Sequence, residues 1–276
     1  MTLPAPVQAL PTALVAGAAV LTDRDAYLPL LPKNAVICEV GIGLGGFSRA
    51  MIDHCQPSHF IAIDNFRLHT LPEFWGHPPF HWFGEKTHAD WYRDSFSTRI
   101  AAGGMTVIEA DSHQGLEQLD DASVDVFYID GDHTYEAIRR DLAVAIRKIK
   151  PDGYLIINDY VMIDQLGARE PYGVIYATHE FMIEHQWAML YFALQTNMFC
   201  DVVLRRAGAP PPPPLGGVPP GQGTKSATLD RTGVPHAAAD AEIVSLKQEI
   251  AMLRNSTSWR ITGPLRRARD WFLPRR

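Results

Sequence analysis

The sequence predicts an α/β fold: a doubly wound, mostly parallel seven-stranded sheet with an antiparallel last strand. Three observations predict it. Short apolar runs alternate with stretches of helical period across residues 25–206, a pattern that places helices on both faces of a parallel sheet. The first run leads into a glycine-rich loop, EVGIGLGGFS, and then into a helical pattern. The last two runs, WAMLYFAL and MFCDVVLRR, close the domain as an antiparallel pair.

The elements follow in order. AVICEV (35–40) is a short apolar strand, and FSRAMIDHC (47–55) suits a helix. HFIAID (59–64) is the second strand, and WYRDSFSTRIAA (91–102) suits one helix. MTVIEA (105–110) and VDVFYID (124–130) are the third and fourth strands. TYEAIRRDLAVAIRKI (134–149) is amphipathic, with Tyr135, Ile138, Leu142, Ile146 and Ile149 on one face. GYLIIND (153–159) is the fifth strand, and YGVIYATHEFMIEH (172–185) is helical. Ligands in such sheets lie beyond the carboxyl ends of the strands. Asp130 and Asp159 fall at two such ends and should face one crevice.

Composition divides the chain into three. Residues 1–206 read as the globular domain, and 207–236 (GAPPPPPLGGVPPGQG within it) as a Pro/Gly linker. Residues 237–276 read as a short coiled-coil helix and a basic aromatic tail. Ile243, Leu246, Ile250 and Leu253 make a heptad seam of about two heptads, which needs a partner and points to self-association. Residues 254–276 then hold seven Arg and one Asp among aromatics such as Trp259 and Trp271, a composition suited to an anionic membrane surface or an acidic partner. A solvated tail is the plainer alternative. The whole chain carries −6 with a pI near 6.0, which argues against nucleic acid as partner. Cys38, Cys55 and Cys200 fit neither a zinc site nor a disulfide framework, and read as core thiols of a reducing compartment. The apolar residues 9–21 lack a basic start and are too short to span a bilayer. The expected location is cytoplasmic, with the tail as a means of peripheral attachment at the inner membrane surface.

Charge at strand ends carries the chemistry. Glu39, Gly41, Gly43 and Gly45 belong to the loop after the first strand, where glycines admit close approach of a ligand. Gly41, Gly43 and Gly46 also have dinucleotide spacing, so the glycines alone do not decide the ligand. Asp64 ends the second strand, where a carboxylate can accept both hydroxyls of a ribose. Asp111, with Ser112 beside it, ends the third, where it can meet an adenine amino group. Each is as readily a cap or turn residue. YIDGDH ends the fourth strand and INDY the fifth, so Asp130, Asn158 and Asp159 can converge. Two carboxylates and an amide carbonyl are hard oxygen donors suited to Mg²⁺, whose charge would offset their repulsion. Asp132 is either a helix cap or a proton acceptor, with His133 as the rival base.

EVGIGLG with Asp64 and Asp111 resembles the nucleoside site of class I S-adenosylmethionine (SAM) methyltransferases, over residues 25–206. That resemblance implies a Rossmann-like fold and SAM as cofactor. IDGDH and NDY resemble the metal-dependent macrocin O-methyltransferase-like sugar enzymes. This second resemblance implies Asp130, Asn158 and Asp159 as Mg²⁺ ligands, Asp132 as base, and a sugar hydroxyl of a glycan or glycosylated metabolite as acceptor. The chain departs from those enzymes in having Asn-Asp where they have Asp-Asp. Residues 65–91, rich in Trp, Phe and His, suit a lid over a sugar or flat ring, or equally a satellite core. STSWRITGPLR resembles the C-terminal ends of bacterial surface-polysaccharide proteins, which points to a polysaccharide-assembly partner. Two other classes stay open: a non-catalytic scaffold recruiting partners through the tail, and a nicotinamide-dependent oxidoreductase.

Overall fold

Each apolar run becomes a strand because its successive side chains serve two different cores. In a computed structural model describing residues 7–161, 172–195 and 199–209, β2 (Val36–Val40) sends Ile37 to one core and Cys38 and Val40 to the other. Likewise β5 (Val124–Ile129) divides Val126 and Tyr128 from Phe127 and Ile129. A two-residue period with both faces apolar is what a central parallel strand requires. The other strands are β1 (Ala19–Leu21), β3 (His59–Asp64), β4 (Met105–Glu109), β6 (Ile149–Ile157), β7 (Trp187–Ala193) and β8 (Asp201–Arg206).

The described strands form one sheet in the order β1-β7-β8-β6-β5-β2-β3-β4. All pairings are parallel except those of β8, which runs antiparallel to both β6 and β7. Chain order reverses on either side of β2 and β5, so the crevice opens where those two strands end. The helices are α1 (Gly46–Cys55), α2 (Pro79–Phe83), α3 (His88–Ser95), α4 (Ser97–Ala101), α5 (Ser112–Glu117), α6 (Tyr135–Lys148) and α7 (Val174–His185). On α6, Thr134 caps the start by accepting from Ala137 N, and Arg147 and Lys148 complement the dipole at the end.

Four expectations are corrected. The sheet has eight described strands, because β1 adds a parallel edge beside β7. The single helix expected over 91–102 is two, broken at the buried Phe96, and its first half begins earlier, where Thr87 accepts from Asp90 N. β6 starts at Ile149 rather than 153, with a register shift opposite Val124–Val126 absorbing the extra length. Asp132 does not cap α6; that position belongs to Thr134. The three cysteines are buried free thiols. All described residues fall within one compact unit, Met1–Val218, and none within the second, Pro219–Arg276. The linker beyond residue 209, the heptad seam and the basic tail lie outside the described residues. No helix among the described residues is long and apolar enough to cross a membrane.

Candidate active site

The glycine loop is shaped by close contacts that glycine permits, with main chain at Gly41 and with an aromatic ring at Gly45. Gly41 has φ +81°, and a Cβ there would sit 2.0 Å from the Asp130 carbonyl oxygen. The ends of β2 and β5 therefore touch main chain to main chain. Gly43 has φ +48° and faces open space, with nothing within 4 Å of an added Cβ. Gly45, also left-handed, packs on the Tyr92 ring at the start of α1. His88 Nε2 donates to the Gly43 carbonyl at 2.7 Å, and its ring lies between Phe66 and Phe83. Burial lowers the His88 pKa, which keeps the imidazole neutral. Beneath the loop, Tyr92 donates to Ser48 and Ser48 to Glu39. Glu39 is 1% exposed, and burial raises its pKa well above the ordinary carboxylate range. Its carboxyl thus braces the loop from below rather than facing the cleft.

Asp64 and Asp111 lie where the strand ends place them. Asp64 accepts from Ile42 N (3.0 Å) and Phe66 N (2.6 Å), so it ties the glycine loop to the exit of β3. A carboxylate has about four lone-pair sites, which leaves capacity for ribose hydroxyls. Asp111 precedes α5 without capping it; its Oδ1 takes a hydrogen bond from Asn65 at 3.3 Å. Asp111 lines a cleft of about 410 Å³ whose wall also includes Asn65, Phe66, His69 and Gln114, beginning one residue beyond Asp64. The Ser112 hydroxyl turns away and donates to Asp141 on α6. Open space at Gly43, an anchored Asp64 and a polar cleft at Asp111 fit the loop, ribose and base ends of an adenosyl cofactor.

Asp130 and Asp159 do converge, and the group between them is an imidazole. His133 Nε2 lies 3.3 Å from Asp130 Oδ1 and 3.6 Å from Asp159 Oδ2. Tyr172 stacks on the His133 ring at 4.6 Å and 9°. Burial opposes the His133 charge, but Asp130, Asp159 and Asp132 outweigh it and raise its pKa. Burial likewise raises the Asp159 pKa, to about 6, despite His133. Asp159 adopts φ +55°, uncommon for a residue with a side chain and typical of functional turns. Asp132 is exposed; one oxygen accepts from Thr134 N at 2.9 Å.

Asn158 is held through its amide nitrogen. Its amide donates to Asp201 Oδ1 at 2.7 Å, and Asp201 also accepts from Tyr27 (2.5 Å) and Gln195 (3.0 Å). The expected Mg²⁺ set does not fit as arranged. The imidazole fills the place between the two carboxylates, and no group of three or more His, Cys, Asp or Glu among the described residues has metal-holding geometry. The four histidines of residues 65–91 likewise form no such site. That insert divides: Phe66, Phe83 and His88 are core, while Trp75 and Phe80 are 62% and 69% exposed.

Sequence reasoning missed His88, Tyr172, Asp201 and Arg24, whose guanidinium lies over Phe47. Each acts through a partner distant in sequence: Gly43 for His88, Tyr27 for Asp201, His133 for Tyr172, and Phe47 and Tyr128 for Arg24. No local pattern signals such pairings.

Residues 38–160 match the family model described as a methyltransferase domain. No curated protein matches the sequence. Among solved structures, the chain is similar to a SAM-dependent methyltransferase from Aquifex aeolicus, with 14% identity over 66% of this chain and 93% of that one, and a TM-score of 0.44. It is also similar to the mitomycin 7-O-methyltransferase MmcR (15% identity, 66% of this chain, 53% of that, TM-score 0.44). The pyocyanin biosynthetic protein PhzM is a third (12%, 65%, 53%, TM-score 0.43). The chain spans about half the length of the last two. The matched segment starts in β2, carries the glycine loop, Asp64 and Asp111, and ends just after Asp159. Residues 38–160 thus carry a methyltransferase domain on a Rossmann-like sheet.

Proposed function

We propose that the protein is an O-methyltransferase acting on a sugar hydroxyl of a glycan or glycosylated metabolite. One observation carries the reading: the acid-rich loop after β5 abuts the cofactor loop, with the Asp130 carbonyl against Gly41. A proton acceptor on that loop therefore stands beside the methyl donor. SAM supplies a methyl on a sulfonium, which leaves as a neutral thioether when an oxygen attacks. A sugar hydroxyl is a poor nucleophile at neutral pH, so its proton must be taken as the carbon–oxygen bond forms. Asp132 is assigned that role, because it is exposed and has an oxygen beyond the one held by Thr134 N. His133 is assigned the pairing of Asp130 and Asp159, which keeps two acids together at the mouth of the site. The exposed Trp75 and Phe80 offer flat apolar faces suited to a sugar ring. The basic tail is assigned attachment to the inner membrane surface or a polysaccharide-assembly partner.

The test is transfer of labelled methyl from SAM to sugar acceptors, with alkali distinguishing a stable ether from a labile ester. Asp132→Asn should lower kcat by roughly 10²- to 10⁴-fold. Unchanged kcat would remove Asp132 from the chemistry. Divalent-metal assistance is a second reading, favoured by the convergence of Asp130 and Asp159. It requires the imidazole to withdraw. The proposed arrangement predicts full wild-type turnover in EDTA and Mg²⁺-dependent thermal stabilisation only in His133→Ala. Loss of wild-type turnover in EDTA, restored by Mg²⁺, would favour the metal.

A further inference from the structure

The N-terminal segment places a guanidinium within electrostatic reach of Asp130 and Asp201. Arg24 opens the 3-10 helix Arg24–Leu30, whose start is fixed by Asp23 accepting from Ala26 N at 3.0 Å. Its side chain lies over the Phe47 ring at 4.4 Å and donates through Nη1 to the Tyr128 hydroxyl at 3.1 Å. Phe47 is in the first turn of α1, directly after the glycine loop, and Tyr128 is two residues before Asp130. The two rings are themselves 4.4 Å apart. Arg24 therefore stands between the start of α1 and the end of β5.

The surroundings leave most of its hydrogen-bonding capacity unused. Guanidinium is a planar fork of five N–H donors matched to a carboxylate. Here one donor meets a neutral hydroxyl, and among the described residues no carboxylate forms an ion pair with it. Its charge is nevertheless felt by Glu39, Asp159 and Asp201. Asp201 feels that charge but takes its hydrogen bonds from Tyr27, Asn158 and Gln195, so the guanidinium fork is not spent on it. The neighbouring N-terminus of α1, ten residues long, has Gly45 as its cap and no side chain capping it. Its open N–H groups and positive dipole end also favour an anion.

We propose that Arg24 anchors the α-carboxylate of the methionine portion of SAM, in a bidentate pair over the N-terminus of α1. The assignment rests on SAM as cofactor. The nucleoside end would lie at Asp64 and Asp111, so the amino-acid end falls on the opposite side of the loop, where Phe47 and Arg24 are. Arg24 is thereby a cofactor-binding residue from a segment outside the matched methyltransferase region.

The test compares SAM with decarboxylated SAM, which lacks only this carboxylate, by calorimetry on the full chain and on Arg24→Gln. Losing a charge-assisted pair should weaken SAM binding by roughly ten- to a hundredfold. Decarboxylated SAM should bind wild type that much more weakly, and bind Arg24→Gln no worse than wild type. Arg24→Lys keeps the charge without the fork and should fall between; it also serves if Arg24→Gln does not fold. Equal weakening of both ligands would reveal a merely structural Arg24 and overturn the proposal, as would unchanged SAM affinity in Arg24→Gln. Failure of wild type to bind either ligand would instead overturn the cofactor reading, and the assignment with it.

Discussion

Asp201 gives the sharpest quantitative test of the architecture behind the site. It is fully buried at the start of β8 and holds Asn158 beside Asp159. Burial raises its pKa from 3.8 to about 7, against the lowering influence of Arg24, Tyr27 and Asn158. A folded-state pKa above the unfolded value means that the folded protein binds the proton more tightly. Stability from this group is therefore present at low pH and lost as pH rises from 3.8 through about 7. Those two values give a loss on the order of 2 to 3 kcal/mol between roughly pH 5 and pH 8. Asp201→Asn is isosteric and cannot ionise. Its carbonyl can still accept from Asn158 and Gln195, and the Tyr27 hydroxyl can rotate to accept from the new amide. Urea unfolding of both proteins at several pH values should show the variant gaining on wild type by on the order of 2 to 3 kcal/mol over that range. Parallel stability curves would refute a buried, proton-holding Asp201.

Three further outcomes are expected. Gly41→Ala should destabilise the fold by at least about 2 kcal/mol, because its Cβ would strike the Asp130 carbonyl at positive φ, whereas Gly43→Ala should keep the fold and lose SAM binding, as its Cβ enters open space at the loop; thermal melting and calorimetry separate the two. His88→Leu removes the hydrogen bond to Gly43 and should weaken SAM binding on the order of tenfold, with His88→Gln recovering part of it. Removal of residues 207–276 should leave SAM affinity unchanged; loss of binding would show that the tail belongs to the cofactor site.

What the sequence revealed follows from which forces are local. The central strands were legible because both faces of β2, β3, β5 and β6 are apolar, and the ends of β3, β5 and β6 because Asp64, Asp130 and Asp159 interrupt those runs. β1 was not, since three residues with Val20 largely exposed carry no periodic signal and only pairing with β7 makes them a strand. α5 was missed for a similar reason, being six residues with Gly115 packed tightly on Ile63. Phe96 broke a helix that the pattern carried through, because its ring is drawn into contact with Tyr92 and Arg49. Thr87 with Asp90 was a readable start signal for α3. At the site, convergence of Asp130 and Asp159 followed from strand ends alone. Entry of His133 between them depends on the turn after β5 and on the Tyr172 ring, and the Asn158 amide nitrogen is held by a buried carboxylate 43 positions away.

The most direct test of the central claim is calorimetric titration of the full chain with SAM, with NADH as control, in Mg²⁺ and again in EDTA. The account predicts saturable SAM binding that is the same in both buffers, and no binding of NADH. Absence of SAM binding in either buffer would contradict it, and binding of NADH instead would return the glycine loop to a dinucleotide.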